Sequence, residues 1–229
     1  MTDLKVSEIF TSLQGEGPSL GTPCLFVRLA LCNLHCHWCD TKYTWDWQHF
    51  RYEDEVRLIP TDRVAELIAS APSKRVVITG GEPLLQQEAL VAVLARVPAD
   101  VCVEIETNGT QLPVGDLLQR VNQWNVSVKL SSAGDPERLR IKPDVLVALS
   151  ELAHAFLKIV VESERDLSEA DELIARFNWP KARVLFMPEA RSRVELAERS
   201  RRIAEACGER GVRFSTRLQL ALFNGKRGT

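Results

Sequence analysis

Cys32-Asn-Leu-His-Cys36-His-Trp-Cys39-Asp-Thr41 is the stretch on which the reading of this chain turns. Its three thiols stand at C-x3-C-x2-C spacing, so one short loop can wrap them around one face of an iron–sulfur cube. A [4Fe–4S] cluster usually takes four cysteines. Three leave one iron open, much as a catalytic metal site keeps one coordination position free for a reactant. The other readings are a zinc site or a disulfide pair. Zinc prefers a second C-x2-C or a His pair at a distance. None follows here, and His35 and His37 lie too close to be an obvious separate pair.

Around that loop the composition is ordinary for a soluble globular chain. The 229 residues make one large domain or two small ones, with enough length for a sizeable core. A net charge of −2, from 29 basic and 31 acidic residues, gives no global field pointing to nucleic acid or a membrane. No apolar run reaches transmembrane length, and Met1-Thr-Asp-Leu-Lys-Val is not a signal-peptide h-region, so a cytoplasmic location is expected. Six cysteines in a chain of this length do not make a disulfide scaffold. Cys24, Cys102 and Cys207 lie in apolar or helical surroundings and read as small core residues.

Short β-rich runs alternate with helical patterns, without repeat or linker, which predicts α/β with a mostly parallel sheet. Strands are expected over residues 4–10, 24–30, 75–79, 101–106, 125–130, 155–161, 182–187 and 212–216. Helices are expected over 61–70, with Thr61 as N-cap, and over 86–96, 114–122, 165–177 and 192–210. Thr11-Ser-Leu-Gln-Gly-Glu-Gly-Pro18 reads as a Gly-rich turn. Arg28 interrupts the apolar run that delivers the chain to the cysteine loop, so it needs an ion-pair partner or an anion. Tyr43, Trp45, Trp47, Phe50 and Tyr52 form either a cover for that loop or a surface patch.

These segments make about six β-then-α units. Such folds bind ligands at the carboxyl ends of their strands. The cysteine loop, Gly80-Gly81, Thr107-Asn108, Lys129 and Glu189 all fall on that rim, so scattered motifs become one site. Two glycines after a strand let a backbone edge approach a ligand, while the same Gly-Gly-Glu-Pro83 also makes a good helix start. Ser127 and Lys129 can donate to a carboxylate or ribose, or Lys129 pairs with a surface acid. Glu104 and Glu106 share one strand face, toward a ligand or a nearby base.

The cysteine spacing, with Trp38 before the last Cys, together with Thr79-Gly-Gly-Glu-Pro83, resembles the radical S-adenosylmethionine (SAM) enzymes. In that superfamily the open iron holds the amino and carboxylate groups of SAM, and a Gly-Gly-Glu motif contacts the SAM amino group. Phe10-Thr-Ser-Leu-Gln-Gly-Glu-Gly17, Phe26-Val-Arg28 with Cys32-Asn-Leu, Cys39-Asp-Thr41 and Thr79-Gly-Gly-Glu-Pro-Leu-Leu-Gln86 narrow the likeness. With Glu106-Thr-Asn-Gly109 and Lys226-Arg-Gly-Thr229, they resemble the 7-carboxy-7-deazaguanine synthases of queuosine and 7-deazapurine biosynthesis, nearly end to end.

The resemblance implies a single radical SAM domain over residues 1–229, with residues 32–60 inserted as a cluster loop after the second strand. It implies a compact, incomplete (β/α)6-type barrel and a homodimer served by an external electron donor such as flavodoxin. The implied reaction is Mg2+-dependent contraction of 6-carboxy-5,6,7,8-tetrahydropterin to 7-carboxy-7-deazaguanine with release of ammonia. By motif, Cys32, Cys36 and Cys39 ligate the [4Fe–4S] cluster and Thr41 contacts Mg2+. Trp38, Cys39, Asp40, Gly81, Ser127, Val128 and Lys129 flank SAM. Leu13, Gln14, Gly15, Arg28, Thr79 and Thr229 contact the pterin. Three places depart from the family pattern: Ala190 after Met187-Pro-Glu189, Gln219 in Arg217-Leu-Gln219 where many relatives have His, and the order Asn224-Gly225. The competing readings are a radical SAM activase for a glycyl-radical enzyme and a non-catalytic metal-binding interaction module.

Overall fold

A single nine-stranded sheet carries the computed structural model, which describes residues 3–229. Its strands are β1 (Asp3–Leu13), β2 (Pro23–Leu29), β3 (Arg57–Pro60), β4 (Arg75–Gly80), β5 (Cys102–Thr107), β6 (Gln123–Val126), β7 (Ala155–Val161), β8 (Val184–Pro188) and β9 (Arg213–Phe214). Their spatial order is β3-β1-β2-β4-β5-β6-β7-β8-β9. β1 runs antiparallel to both β2 and β3, and every pair from β2 to β9 is parallel. Between successive parallel strands lie the helices Thr61–Ser70, Gln87–Leu94, Gly115–Arg120, Pro143–Glu151, Glu164–Arg176 and Arg193–Arg210. The sheet has two free edges, at β3 and β9, so the six β/α units form an incomplete barrel.

Side-chain alternation decides what each strand offers to each face. Val76 and Ile78, Val103 and Ile105, Trp124 and Val126, Leu157 and Ile159, Val184 and Phe186 all belong to one buried apolar cluster. Helix residues such as Ile68, Leu90, Leu149, Leu167 and Ile203 complete that cluster. Burying a side chain of this size contributes roughly 1.5–3 kcal/mol, so this outer layer dominates the stabilisation. The alternate positions face inward, and there the pattern changes to Arg28, Thr79, Glu106, Lys158 and Met187, all lining one cavity.

Caps set several helix boundaries. Ser163 and Asp166 make a reciprocal capping box on Glu164–Arg176. Ser192 caps Arg193–Arg210, which Gly211 ends in the left-handed region at φ 67°. Thr61 is not an N-cap: it is already the first helical residue, because Pro60 ends β3 and hands the chain straight into the helix without a side-chain cap. The expected strand 125–130 stops at Val126, the last residue paired with β7. β1 runs on to Leu13, so the Gly-rich turn begins at Gln14. β3 and the helices Pro143–Glu151 and Leu218–Phe223 are additional elements.

Candidate active site

The cysteine loop is pinned to the sheet by backbone contacts that only glycine permits. Gly81 N–H donates to the Leu29 carbonyl at 3.0 Å and Glu82 N–H to the Leu31 carbonyl at 2.8 Å. Gly80 sits at φ 139°, and a Cβ on either glycine would collide with the backbone of Leu29 or Leu31. Leu31 itself adopts φ 76° as the chain leaves β2 and turns into the loop. Asn33 accepts from the Asn108 amide at 2.9 Å and donates to Thr110 at 2.8 Å, so the Cys-Asn-Leu and Thr-Asn-Gly-Thr motifs lock together.

Glu82 behaves differently from the two glycines before it. Its carboxylate is fully buried and accepts from Thr107 Oγ1 at 2.9 Å, Asn108 N–H at 2.7 Å and Leu84 N–H at 3.0 Å. Burial holds its pKa above the ordinary value despite those donors. It joins the ends of β4 and β5 and does not line the cavity, whereas Gly80 and Gly81 do.

Cys32, Cys36 and Cys39 all line one cavity of about 640 Å³ at the carboxyl ends of the parallel strands. Donors point at two of the sulfurs: Leu34 N–H at 3.5 Å from Cys32 Sγ and the Trp45 indole N–H at 3.4 Å from Cys39 Sγ. Such bonds tune an iron–sulfur group. Trp45 also stacks on His35, with centroids 4.8 Å apart, so part of the aromatic stretch covers the loop. All six cysteines are free thiols. Cys24 and Cys207 are buried away from the loop, and Cys102 is half-buried at the start of β5. Among the described residues no three Cys, His, Asp or Glu side chains gather tightly enough to hold one metal ion. Cys32, Cys36 and Cys39 nevertheless offer three soft ligands to one shared cavity, and that donor set fits a cluster with one open iron. Burial pushes the Cys32 thiol up to about 12 and Cys36 to about 11, so loading must displace protons.

The residues expected to flank SAM separate into two groups. Trp38, Asp40, Gly81, Ser127 and Lys129 line the cavity. Lys129 Nζ donates to Ser127 Oγ at 2.7 Å and lies 5.8 Å from the Trp38 ring centre. Val128 is 1% exposed and packs in the outer apolar cluster, because alternation turns it away while its neighbours face in. Its side chain does not line the cavity, so a contact with SAM would be made by its backbone. Asp40 is largely exposed and pairs with Arg217.

The expected pterin-contacting residues all line the same cavity. Gln14 is 2% exposed and donates to Glu104 at 2.7 Å and Glu106 at 3.1 Å. Thr79 donates to Glu106 at 2.8 Å. Glu106 thus faces the cavity, while Glu104 lies beneath it against Arg75 at 2.9 Å, Ser19 and Asn125. Arg28 pairs with Glu8 at 2.9 Å and still lines the cavity. Thr41, the expected Mg2+ contact, sits on the wall with its hydroxyl 3.6 Å from Cys39 Sγ. Gly15 lets Gln219 pack where a Cβ would stand, and Gln219 donates to Glu16 at 2.7 Å.

Sequence reasoning passed over a buried charge network on the cavity wall. Lys158 of β7 pairs with Glu16, which Arg217 also reaches at 3.4 Å. Lys158 is a lone charge in Ala155-Phe-Leu-Lys-Ile-Val-Val161, the same signal that singled out Arg28. Burial pulls the Glu16 carboxyl up, but Lys158 and Arg217 outweigh it and hold the group down at about 2. Its pKa in the fold is below the ordinary 4.5, so its stabilisation is full above about pH 4.5 and drains away toward pH 2. Urea midpoints should therefore fall across that window, and Glu16→Gln should flatten this acid limb from a lower starting stability.

Three soft ligands at the mouth of an open parallel α/β sheet define a radical SAM protein, and the family model for the Radical SAM superfamily matches residues 28–149. The chain is 37% identical to the 7-carboxy-7-deazaguanine synthase of Pyrobaculum aerophilum, over 98% of this chain and 97% of that protein. It is 35% identical to the synthase of Hyperthermus butylicus, over 96% and 92%. The solved structure of QueE from Escherichia coli superposes with TM-score 0.71 at 26% identity, covering 94% of both chains. The chain belongs to the 7-carboxy-7-deazaguanine synthase family. Streptococcus suis SuiB, at 13% identity and TM-score 0.57 over 84% of this chain and 48% of its own, shares the fold.

Proposed function

We propose that this chain converts 6-carboxy-5,6,7,8-tetrahydropterin to 7-carboxy-7-deazaguanine with release of ammonia, and that its 229 residues act as one radical SAM domain with residues 32–60 as the cluster loop. The observation that carries this reading is the single cavity that joins the cysteine triad to Gln14, Arg28 and Thr79. Product plus ammonia equals substrate, so no external oxidant is consumed. When bound, the cluster and SAM supply one-electron cleavage of a sulfonium bond. The chain's residues hold and orient. Cys32, Cys36 and Cys39 would hold the cluster, and three ligands would leave one iron open for SAM. Gly80-Gly81, Ser127 and Lys129 line the same cavity, where the glycine backbone edge would meet the SAM amino group and Ser127 and Lys129 would donate to its carboxylate or ribose.

Gln14 and Thr79 donate to Glu106 and so fix its carboxylate on the wall, where it and the Thr79 oxygen can accept from the N–H edge of a flat ring. Arg28 keeps a planar guanidinium on the wall for a carboxylate. The cavity's size suits a cofactor and one small substrate. Residues 224–229 also wall it, which disfavours a groove for a protein loop and hence the activase reading. Thr41 offers Mg2+ one hard oxygen, the substrate carboxylate supplying charge. We assign the chain a homodimeric state and a one-electron donor such as flavodoxin on the same family grounds. No helix among the described residues is long and apolar enough to cross a membrane.

Anaerobic reconstitution with iron and sulfide, then SAM, dithionite and the carboxylated pterin, tests the reading by product mass. SAM cleavage without ring-contracted product would overturn it. In the same assay Thr41→Ala should raise the Mg2+ concentration for half-maximal rate by about tenfold, the loss of one good oxygen contact. An unchanged Mg2+ titration would remove Thr41 from the metal.

A further inference from the structure

The segment 224–229 has no regular structure, yet it forms one wall of the cavity. Asn224, Gly225 and Gly228 all take left-handed φ angles, so the chain folds back on itself after the helix Leu218–Phe223. Within the segment, Thr229 Oγ1 donates to the Lys226 carbonyl at 2.5 Å, a contact that fixes its shape and not its place. Its attachment to the body of the fold is Arg227. That guanidinium lies 2.5 Å from Glu8 of β1, 2.7 Å from Glu55 and 3.9 Å from the centre of the Tyr43 ring. Arg227 is 43% exposed, but its two carboxylates are only 12% and 14% exposed, on separate elements. An ordinary surface ion pair contributes little. A fork held by two sheltered anions and an aromatic face is a different case.

Glu8 is the hub of this arrangement. One oxygen takes Arg227, and the other takes Arg28 and the Tyr43 hydroxyl, each at 2.9 Å. The residue that docks the segment and the residue offered to the substrate carboxylate therefore share one anion. We propose that Arg227 is a positioning residue: it straps residues 224–229 across the pocket mouth and, through Glu8, sets the orientation in which Arg28 meets the substrate. Losing the strap loosens one wall and lets Glu8 turn wholly toward Arg28, away from the geometry that leaves the guanidinium available. The cysteine loop and the Gly80-Gly81 edge are anchored separately, so SAM binding should be spared. The substrate half of this proposal rests on the reading of function above.

The test compares reconstituted wild type, Arg227→Ala, Arg227→Lys and Glu55→Gln. Hydrogen–deuterium exchange of the peptide covering 224–229 should speed up by about tenfold in Arg227→Ala and less in the other two. The KM for the carboxylated pterin should rise by about tenfold with kcat changed by less than about threefold, and the KM for SAM should stay within about twofold. More 5′-deoxyadenosine should form per product, and Arg227→Lys should recover part of each change. Wild-type exchange in both Arg227→Ala and Glu55→Gln would overturn the strap. A fall in kcat with unchanged pterin KM would overturn the positioning role. If wild type makes no ring-contracted product, the functional reading fails, while the exchange experiment still judges the strap.

Discussion

Cys36→Ala should abolish turnover. After anaerobic reconstitution the variant should hold far less iron and sulfide than the roughly four of each per chain expected for a cubane, and should release no 5′-deoxyadenosine from SAM. The reason is geometric. The three sulfurs come from one loop tied at its start, by the Leu31 carbonyl to Glu82 and by Asn33 to Asn108 and Thr110, and again past Cys36, by His37 N–H to the Ala133 carbonyl at 3.0 Å. No other cysteine can swing in: Cys24 and Cys207 are buried elsewhere, and Cys102 does not line the cavity. The fold should survive, because the outer apolar cluster does not include Cys32, Cys36 or Cys39. Normal far-ultraviolet dichroism with full activity would show that the triad does not hold the cluster.

The second large effect is expected at Lys158→Met. Removing one member of a buried ion pair leaves the other without compensation, at a cost of about 3–5 kcal/mol. Glu16 keeps Arg217 and Gln219 but loses its buried partner, and Glu106 loses a nearby cation. For a chain of this size each kcal/mol lowers the melting temperature by about 2–4 °C, so a fall of roughly 6–20 °C is expected. The acid limb described for Glu16 should also move upward in pH, since Lys158 contributes most among the groups that depress that carboxyl. The double variant Glu16→Gln with Lys158→Met should regain much of the loss, as pairs in direct contact are not additive. A melting temperature within about 2 °C of wild type for the single variant would place the pair outside the stabilising core.

Much of the site was legible because its parts are local. A cysteine triplet, a glycine pair after a strand and a lone Arg28 in an apolar run each carry their meaning within a few residues. Alternation then places Thr79 and Glu106 on the inner face with no further information. What stayed hidden is what depends on long-range pairing. Nothing near Glu16 announces Lys158, and nothing near Glu8 announces Arg227. Nothing local to Gly80-Gly81 shows that the next residue, Glu82, is a buried brace between strands. Period two separates Val128, buried in the outer cluster, from Ser127 and Lys129 on the cavity wall. The four-residue β3 at the edge is too short to show alternation, whereas Pro143 at the first turn of its helix was a signal that could have been used.

The wall built from residues 217–227 has a temporal consequence. Leu218 bonds to Gly15, Arg217 to Glu16 and Arg227 to Glu8, so the earliest turn of the chain waits for segments some two hundred positions later. Contacts of such separation are slow to close. On the ribosome the thiol loop and its glycine ledge can assemble while that flank is still bare, because chains fold from the leading end as they emerge. A nascent chain that folds in that order presents its sulfurs unshielded for an interval, and iron delivered then would meet an open door.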